Sequence, residues 1–244
     1  MKAMIFAAGL GTRLKPLTDR MPKALVPVGG RPLLGILIEK LHRAGFDDMV
    51  INVHHFADMI EEWVTSLDSH PASPVIHLSD ERKELLETGG GIKHARPLLE
   101  DCDRFLIHNV DILSNVDLVR FFACGEGSDV TLLVSERKTS RYLLFDDDMR
   151  LVGWTNTQTG EVKSPHPHLD PSHYHPLAFA GIHQMSTSLF PLMDAWPARF
   201  SVIDFYLNLC ASHRIVGHVQ PGLRLMDVGK LDTLAAAEAF VTSL

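Results

Sequence analysis

A chain of 244 residues, 45% of them apolar and 22% charged, is long enough to bury one sizeable core, so a single domain is expected over residues 1–244. Its net charge of −7 excludes a general nucleic-acid or membrane-surface binder, because those surfaces are themselves anionic. Three cysteines, Cys102, Cys124 and Cys210, cannot all pair and lack metal-ligand spacing, which excludes a disulfide framework and predicts a reduced, cytoplasmic protein.

Met1 leads straight into the first apolar run, so no leader peptide is expected. Ala3 to Ala8 is rich in strand-compatible residues and empties into Gly9-Leu10-Gly11-Thr12-Arg13. That order predicts a buried strand followed by a glycine loop. Glycines at two of three positions let backbone N–H groups turn toward one point, and such a nest suits phosphate oxygens. Arg13 adds a planar fork and Lys23 a mobile point charge, which together suit a triphosphate. Two common phosphate loops do not fit. The dinucleotide fingerprint needs glycine where Leu14 stands and an acidic residue where Arg31 to Leu34 stand. A P-loop needs Gly-Lys-Ser/Thr, and in Thr88-Gly89-Gly90-Gly91-Ile92-Lys93 the isoleucine intervenes.

Farther along, Leu33 to Ala44 reads as a helix closed by Gly45, and Met49 to Val53 as a buried strand ending at His54-His55, a pair assigned to strand-end packing. Phe56, Met59, Ile60, Trp63, Val64 and Leu67 make the apolar stripe of a helix, with Trp63 in the core. Val75 to Leu78 predicts a third strand, a helix runs from the triple glycine to about Leu99, and Phe105 to Val110 is a fourth strand entering Asp111. Strands alternating with helices predict a mainly parallel sheet with helices on both faces. Val130 to Val134, Tyr142 to Phe145, Leu151 to Trp154 and Leu177 to His183 read as strands with few helices between, an antiparallel or mixed extension. Asp146-Asp147-Asp148 between two of them is a hairpin turn rather than a metal cluster. Ser201 caps a helix through about Ser212, and Lys230 to the C-terminus is a closing helix. The tract Ser164 to Pro176 carries His166, His168, His173 and His175. Its prolines predict an irregular solvated loop, a candidate lid, with transition-metal binding the alternative. Ligands sit beyond the C-terminal ends of parallel strands, and the glycine loop, the loop before Gly89 and Asp111 all fall there.

The strings GLGTRLKPLT and PKALVPV, with Glu87-Thr88-Gly89-Gly90-Gly91, Phe179-Ala180-Gly181-Ile182 and Asp227-Val228-Gly229, resemble the sugar-1-phosphate nucleotidyltransferases, and within them the short bacterial branch of N-acetylmuramate-1-phosphate uridylyltransferases. The resemblance runs over nearly the whole chain. It implies a single-domain, Rossmann-like α/β fold, a mixed and mainly parallel sheet flanked by helices, with a nucleotide-binding half over 1–125 and a sugar-binding half over 126–244. The β-helix tail of longer relatives is not expected. The implied reaction joins a nucleoside triphosphate, UTP favoured, to a sugar 1-phosphate and releases pyrophosphate. The attacking phosphate is already anionic, so no general base is required, and catalysis rests on positioning and charge stabilisation.

By the same resemblance, Arg13 and the backbone of Gly9, Leu10, Gly11 and Thr12 serve the β and γ phosphates, and Lys23 serves the α-phosphoryl and the incoming sugar phosphate. Main-chain groups of Ala8 and Gly9, with Glu81, Thr88 and Gly89, read the base. Phe179 and Gly181 meet the sugar, and Asp111 and Asp227 hold Mg²⁺, an ion that takes one or two carboxylates and fills its shell with phosphate and water. N-capping is the alternative for each aspartate. Two residues depart from the family's pattern: Val110 stands where glycine is usual, and Phe179 replaces an asparagine with an apolar wall. A GTP-dependent mannose- or heptose-1-phosphate guanylyltransferase, a choline-phosphate cytidylyltransferase and a nucleotide-sugar sensor remain the alternatives. A monomer or small homo-oligomer is expected.

Overall fold

In the computed structural model, which describes residues 1–67 and 73–243, the first strand sets the pattern for the rest. β1 (Lys2–Phe6) sends Ala3 and Ile5 into one buried apolar cluster and Met4 into another, the two-residue alternation of a strand covered on both faces. There follow the short pair β2 (Pro27–Val28) and β3 (Arg31–Pro32), then α1 (Leu33–Arg43), β4 (Asp48–Val53), α2 (Ala57–Thr65) and β5 (Val75–Asp80). Next come α3 (Glu87–His94), α4 (Arg96–Leu99), β6 (Arg104–Asn109), β7 (Ile112–Ser114) and α5 (Leu118–Ala123). The second half holds β8 (Val130–Ser135), β9 (Arg141–Phe145), β10 (Leu151–Asn156), β11 (Glu161–Lys163), β12 (His175–Ser186), α6 (Phe190–Met193), α7 (Val202–Leu209), β13 (Ile215–Val219), β14 (Leu225–Asp227) and α8 (Leu234–Thr242).

The sheet is mixed, as expected. β5, β4, β1 and β6 are parallel neighbours in that order. β12 runs antiparallel to β6 and continues into β9, β10 and β11, while β8 joins β12 to β13. β1 has its successor β4 on one side and β6 on the other, so the strand order reverses at β1/β6. The C-terminal ends of those two strands therefore splay a crevice. α1 buries Leu33, Leu34, Leu37, Ile38 and Leu41 against one face, with α8 beside it. α3, α6 and α7 cover the other face around Phe105, Phe190, Phe205 and Tyr206. Among the described residues no helix is long and apolar enough to cross a membrane.

Several elements differ from expectation. α2 starts at Ala57, and Phe56 lies just outside it at φ 55°. Trp63 packs on the core but is only partly buried. The helix expected from the triple glycine to Leu99 breaks at Ala95, because Pro97 has no N–H to continue the ladder. The closing helix begins at Leu234, after a 3-10 turn over Leu231–Thr233. The triple aspartate is the β9–β10 turn, where Asp146 Oδ1 accepts from the N–H groups of Asp148 and Arg150 at 3.0 and 2.8 Å. In the histidine tract His175 faces Asp147 at 3.0 Å, and among the described residues no three metal-ligating side chains converge.

Candidate active site

The loop after β1 enters a cleft of about 570 Å³ at the β1/β6 crevice, lined by Ala8, Gly9, Leu10, Gly11, Thr12 and Arg13. Lys23, Asn52, Thr88, Asn109, Val110, Asp111 and Gly229 are among its other lining residues. Gly9 leaves the space above its Cα open, whereas Gly11 turns the loop at φ 62°, where a Cβ would lie 2.9 Å from Thr18 and 3.0 Å from Lys23. That position combines a left-handed backbone with close packing, so only glycine serves it. Thr18, buried, donates its hydroxyl to Gly11 O at 2.9 Å and fixes the turn.

The loop then closes on itself through charge. Lys23, 8% exposed, donates Nζ to Asp111 Oδ2. Asp111 O accepts from Val228 N–H at 2.8 Å, joining the end of β6 to the segment after β14. β14 pairs with β7 so that Asp227 lies opposite Ile112, one residue from Asp111. A Cβ on Gly229 would stand 2.8 Å from Asp227 Oδ1 and 2.9 Å from Arg13 Nη2, so this glycine leaves room for both the carboxylate and the guanidinium. β7 is secured from beneath by Lys40, which donates to Ser114 O and Oγ at 2.5 and 3.0 Å; burial pulls its ammonium pKa down to about 8.

The chain brings Arg13, Lys23, Asp111 and Asp227 to one end of the sheet, together with the glycine loop. Glu81, Gly89 and Gly181 stand elsewhere. Glu81 does not line the cleft: it is 2% exposed beneath the loop, accepting from Asn52 Nδ2 at 2.7 Å and Leu86 N–H at 3.2 Å. Burial raises its carboxyl pKa, against the pull of those donors. Asn52 Oδ1 in turn accepts from Ala7 N–H at 2.7 Å and Ala8 N–H at 3.3 Å, so among the described residues the Glu81 carboxylate is linked to the loop through Asn52. Gly89 donates its N–H to Phe200 O at 2.9 Å, and a Cβ there would meet the Phe200 ring at 2.3 Å. Gly89 and Gly90 are thus packed against the segment before α7, while Gly91 packs against Glu81 and Asn52. Thr88 does line the cleft, and its Oγ1 accepts from Val202 N–H at 2.9 Å. Gly181, at φ 74°, faces Asn109 Nδ2 at 2.8 Å from its missing Cβ.

A second cleft of about 370 Å³ adjoins the first through Ser201, which lines both. Phe179 and Trp154 give it apolar walls, and Arg137, Arg141, Lys163 and Asp204 its charges. Sequence reasoning missed Asn52, Thr18 and these three cations. Asn52 had a signal, a polar residue at the end of an apolar buried strand, which must find partners. The cations come from three separate segments and had none.

Residues 2–142 match a protein-family model described as Nucleotidyl transferase. The chain is 35% identical to an N-acetylmuramate alpha-1-phosphate uridylyltransferase of Caulobacter vibrioides, over 97% of this chain and 95% of that protein. It is also 35% identical to the mannose-1-phosphate guanylyltransferase catalytic subunit beta of Xenopus tropicalis, over 58% of this chain and 40% of that one. Among solved structures, HddC from Yersinia pseudotuberculosis complexed with GMP-PN superposes with a TM-score of 0.75 at 23% identity, covering 98% of both chains, a likeness of fold.

Proposed function

Because the chain belongs to the nucleotidyl transferase family, we propose that it joins UTP to N-acetylmuramate 1-phosphate, giving the uridine-diphosphate sugar and pyrophosphate. The observation that carries the reading is the convergence of Gly11, Arg13, Lys23, Asp111 and Gly229 on one cleft at the strand-order reversal, with Lys23 paired to Asp111. The choice of base and sugar is supported by the uridylyltransferase relative, 35% identical over 97% of this chain, since the guanylyltransferases reach that identity only over 58% of it or match the whole of it at 25%.

In this reading the acceptor's phosphate oxygen attacks the α-phosphorus in line. A new P–O bond forms as the bond to the α–β bridging oxygen breaks, and the electron pair leaves on pyrophosphate. Backbone N–H groups of the glycine loop and Arg13 hold the β and γ phosphates. Lys23, fixed by Asp111, presents its ammonium to the α-phosphoryl group without reorganisation, where charge stabilisation acts most strongly. The β7–β14 pairing brings Asp227 within one residue of the position opposite Asp111, two carboxylates of the kind a divalent cation takes. Asp111 and Asp227 would hold Mg²⁺, and with no third protein ligand among the described residues its shell suits phosphate oxygens and water. When bound, the ion supplies neutralising charge to the phosphates. Asn52 and Glu81 act behind the loop by fixing the Ala7 and Ala8 amides.

The test is pyrophosphate release with Mg²⁺, crossing UTP, GTP and CTP against N-acetylmuramate 1-phosphate, mannose 1-phosphate, a heptose 1-phosphate and phosphocholine. Release with UTP and the muramate acceptor is expected. Silence from every pair, with a nucleotide sugar still raising the melting temperature, would mean that the cleft only binds.

A further inference from the structure

The second cleft has a charge balance that a neutral sugar does not explain. Three cations line it, and Asp204 is the acidic residue among its lining residues, in a chain whose net charge is −7. Lys163 is accounted for: it pairs with Asp204 at 3.1 Å and lies over the Trp154 ring at 5.4 Å. Arg137 donates one Nη2 hydrogen to Phe179 O at 3.1 Å, which aims the guanidinium while leaving most of its donors unused. Arg141, the first residue of β9, has no ion-pair or side-chain hydrogen-bond partner among the described residues. The phosphates of both substrates already have Arg13 and Lys23 in the neighbouring cleft.

Resting on the transfer reading above, we infer that Arg141, together with Arg137, reads a carboxylate carried on the ring of the acceptor sugar, a group separate from its 1-phosphate. A guanidinium fork matches a carboxylate in two parallel hydrogen bonds, and a neutral hydroxyl offers no equivalent. Phe179 and Trp154 line the same cleft and supply apolar walls for the sugar ring. The specificity therefore comes from side chains that distinguish an acidic sugar from its neutral counterpart.

The experiment measures calorimetric binding and pyrophosphate release for the wild type and R141Q with N-acetylmuramate 1-phosphate, and with the same compound carrying a carboxamide in place of the carboxylate. The wild type should bind the acid about tenfold more tightly than the amide, and R141Q should lose that preference while binding the amide as before. A loss that is equal on both acceptors would make Arg141 a phosphate contact and overturn the inference, as would no loss on either. Pyrophosphate release from both acceptors without preference leaves the transfer reading standing and this one refuted. Acid-selective binding without pyrophosphate release from any acceptor does the reverse.

Discussion

Replacing Asn52 by Asp tests whether the glycine loop is held from beneath by a buried amide. Asn52 and Glu81 are 3% and 2% exposed, and the amide nitrogen donates to the Glu81 carboxylate at 2.7 Å. The aspartate keeps the acceptor for Ala7 and Ala8 but turns that donor contact into two carboxylate oxygens face to face. Such a pair cannot ionise twice and retains one proton, with one pKa strongly raised. Glu81 starts from a carboxyl that burial has already raised. The folded variant then binds a proton that the unfolded chain has released above pH about 4, so its stability falls as pH rises toward the raised pKa of the pair. An added shift of about two units corresponds to about 3 kcal/mol. In urea denaturation, the gap between wild type and N52D should widen by about that amount from pH 5 to pH 8.5. N52L, which strands the Ala7 amide and one Glu81 oxygen, should instead lose about 2–5 kcal/mol already at pH 5 and widen less, because it removes the donor that lowers the Glu81 pKa but sets no second carboxyl beside it. A gap for N52D that is constant across the range would refute the shared-proton argument.

Lys23→Ala should lower turnover about 10²- to 10³-fold, because it removes charge from the α-phosphoryl group. Its melting temperature should stay close to wild type, since the Asp111 side chain is 21% exposed and remains hydrated; unchanged turnover would sink the assigned role. His108 and His183 are fully buried and their pKa values are held down to about 3, so both stay neutral in the folded chain. Below pH 6.5 the unfolded state takes protons the native state refuses, and stability is lost at roughly 1.4 kcal/mol per pH unit per histidine as pH falls toward 3. H183F should flatten an acid-unfolding curve by about one proton, and an unaltered slope would contradict this. Gly89→Ala drives a Cβ into the Phe200 ring and should destabilise by about 1–3 kcal/mol. F200L should relieve part of that loss but none of the loss in G90A, whose obstruction is the Ala198 carbonyl at 2.1 Å, and a double-mutant cycle reads the difference.

What the sequence made legible was what is local in the chain. The loop from Gly9 to Arg13 is contiguous, and its glycine spacing states its own conformational demand. The parallel nucleus was readable because apolar strands and amphipathic helices alternate there. β13 escaped because Ile215–Val219 lies far from β8 in sequence and its pairing is a long-range event. β11 escaped because all three of its residues are exposed and carry no burial pattern. Glu81 and Gly89 show the limit for sites. Both stand near the cleft in sequence terms, yet one carboxylate turns inward to Asn52 and the other residue gives its N–H to Phe200. Direction of approach is a property of packing, and no motif states it.

The two clefts are joined by one strand, yet a break in that strand lets the second change without disturbing the first. β12 shifts register between Phe179 and His183, with Gly181 at φ 74° in the break. Before the break its residues pair with β9 and carry Phe179 into the second cleft; after it they pair with β6, whose end delivers Asn109 and Asp111 to the first. Gly181 rests against Asn109 at the bend itself. A bulky wall at 179 therefore needs no compensating change in the first cleft, because the break lets the two halves of β12 take different registers. The second cleft can therefore change in shape and charge while the first stays tied to β1 and β6.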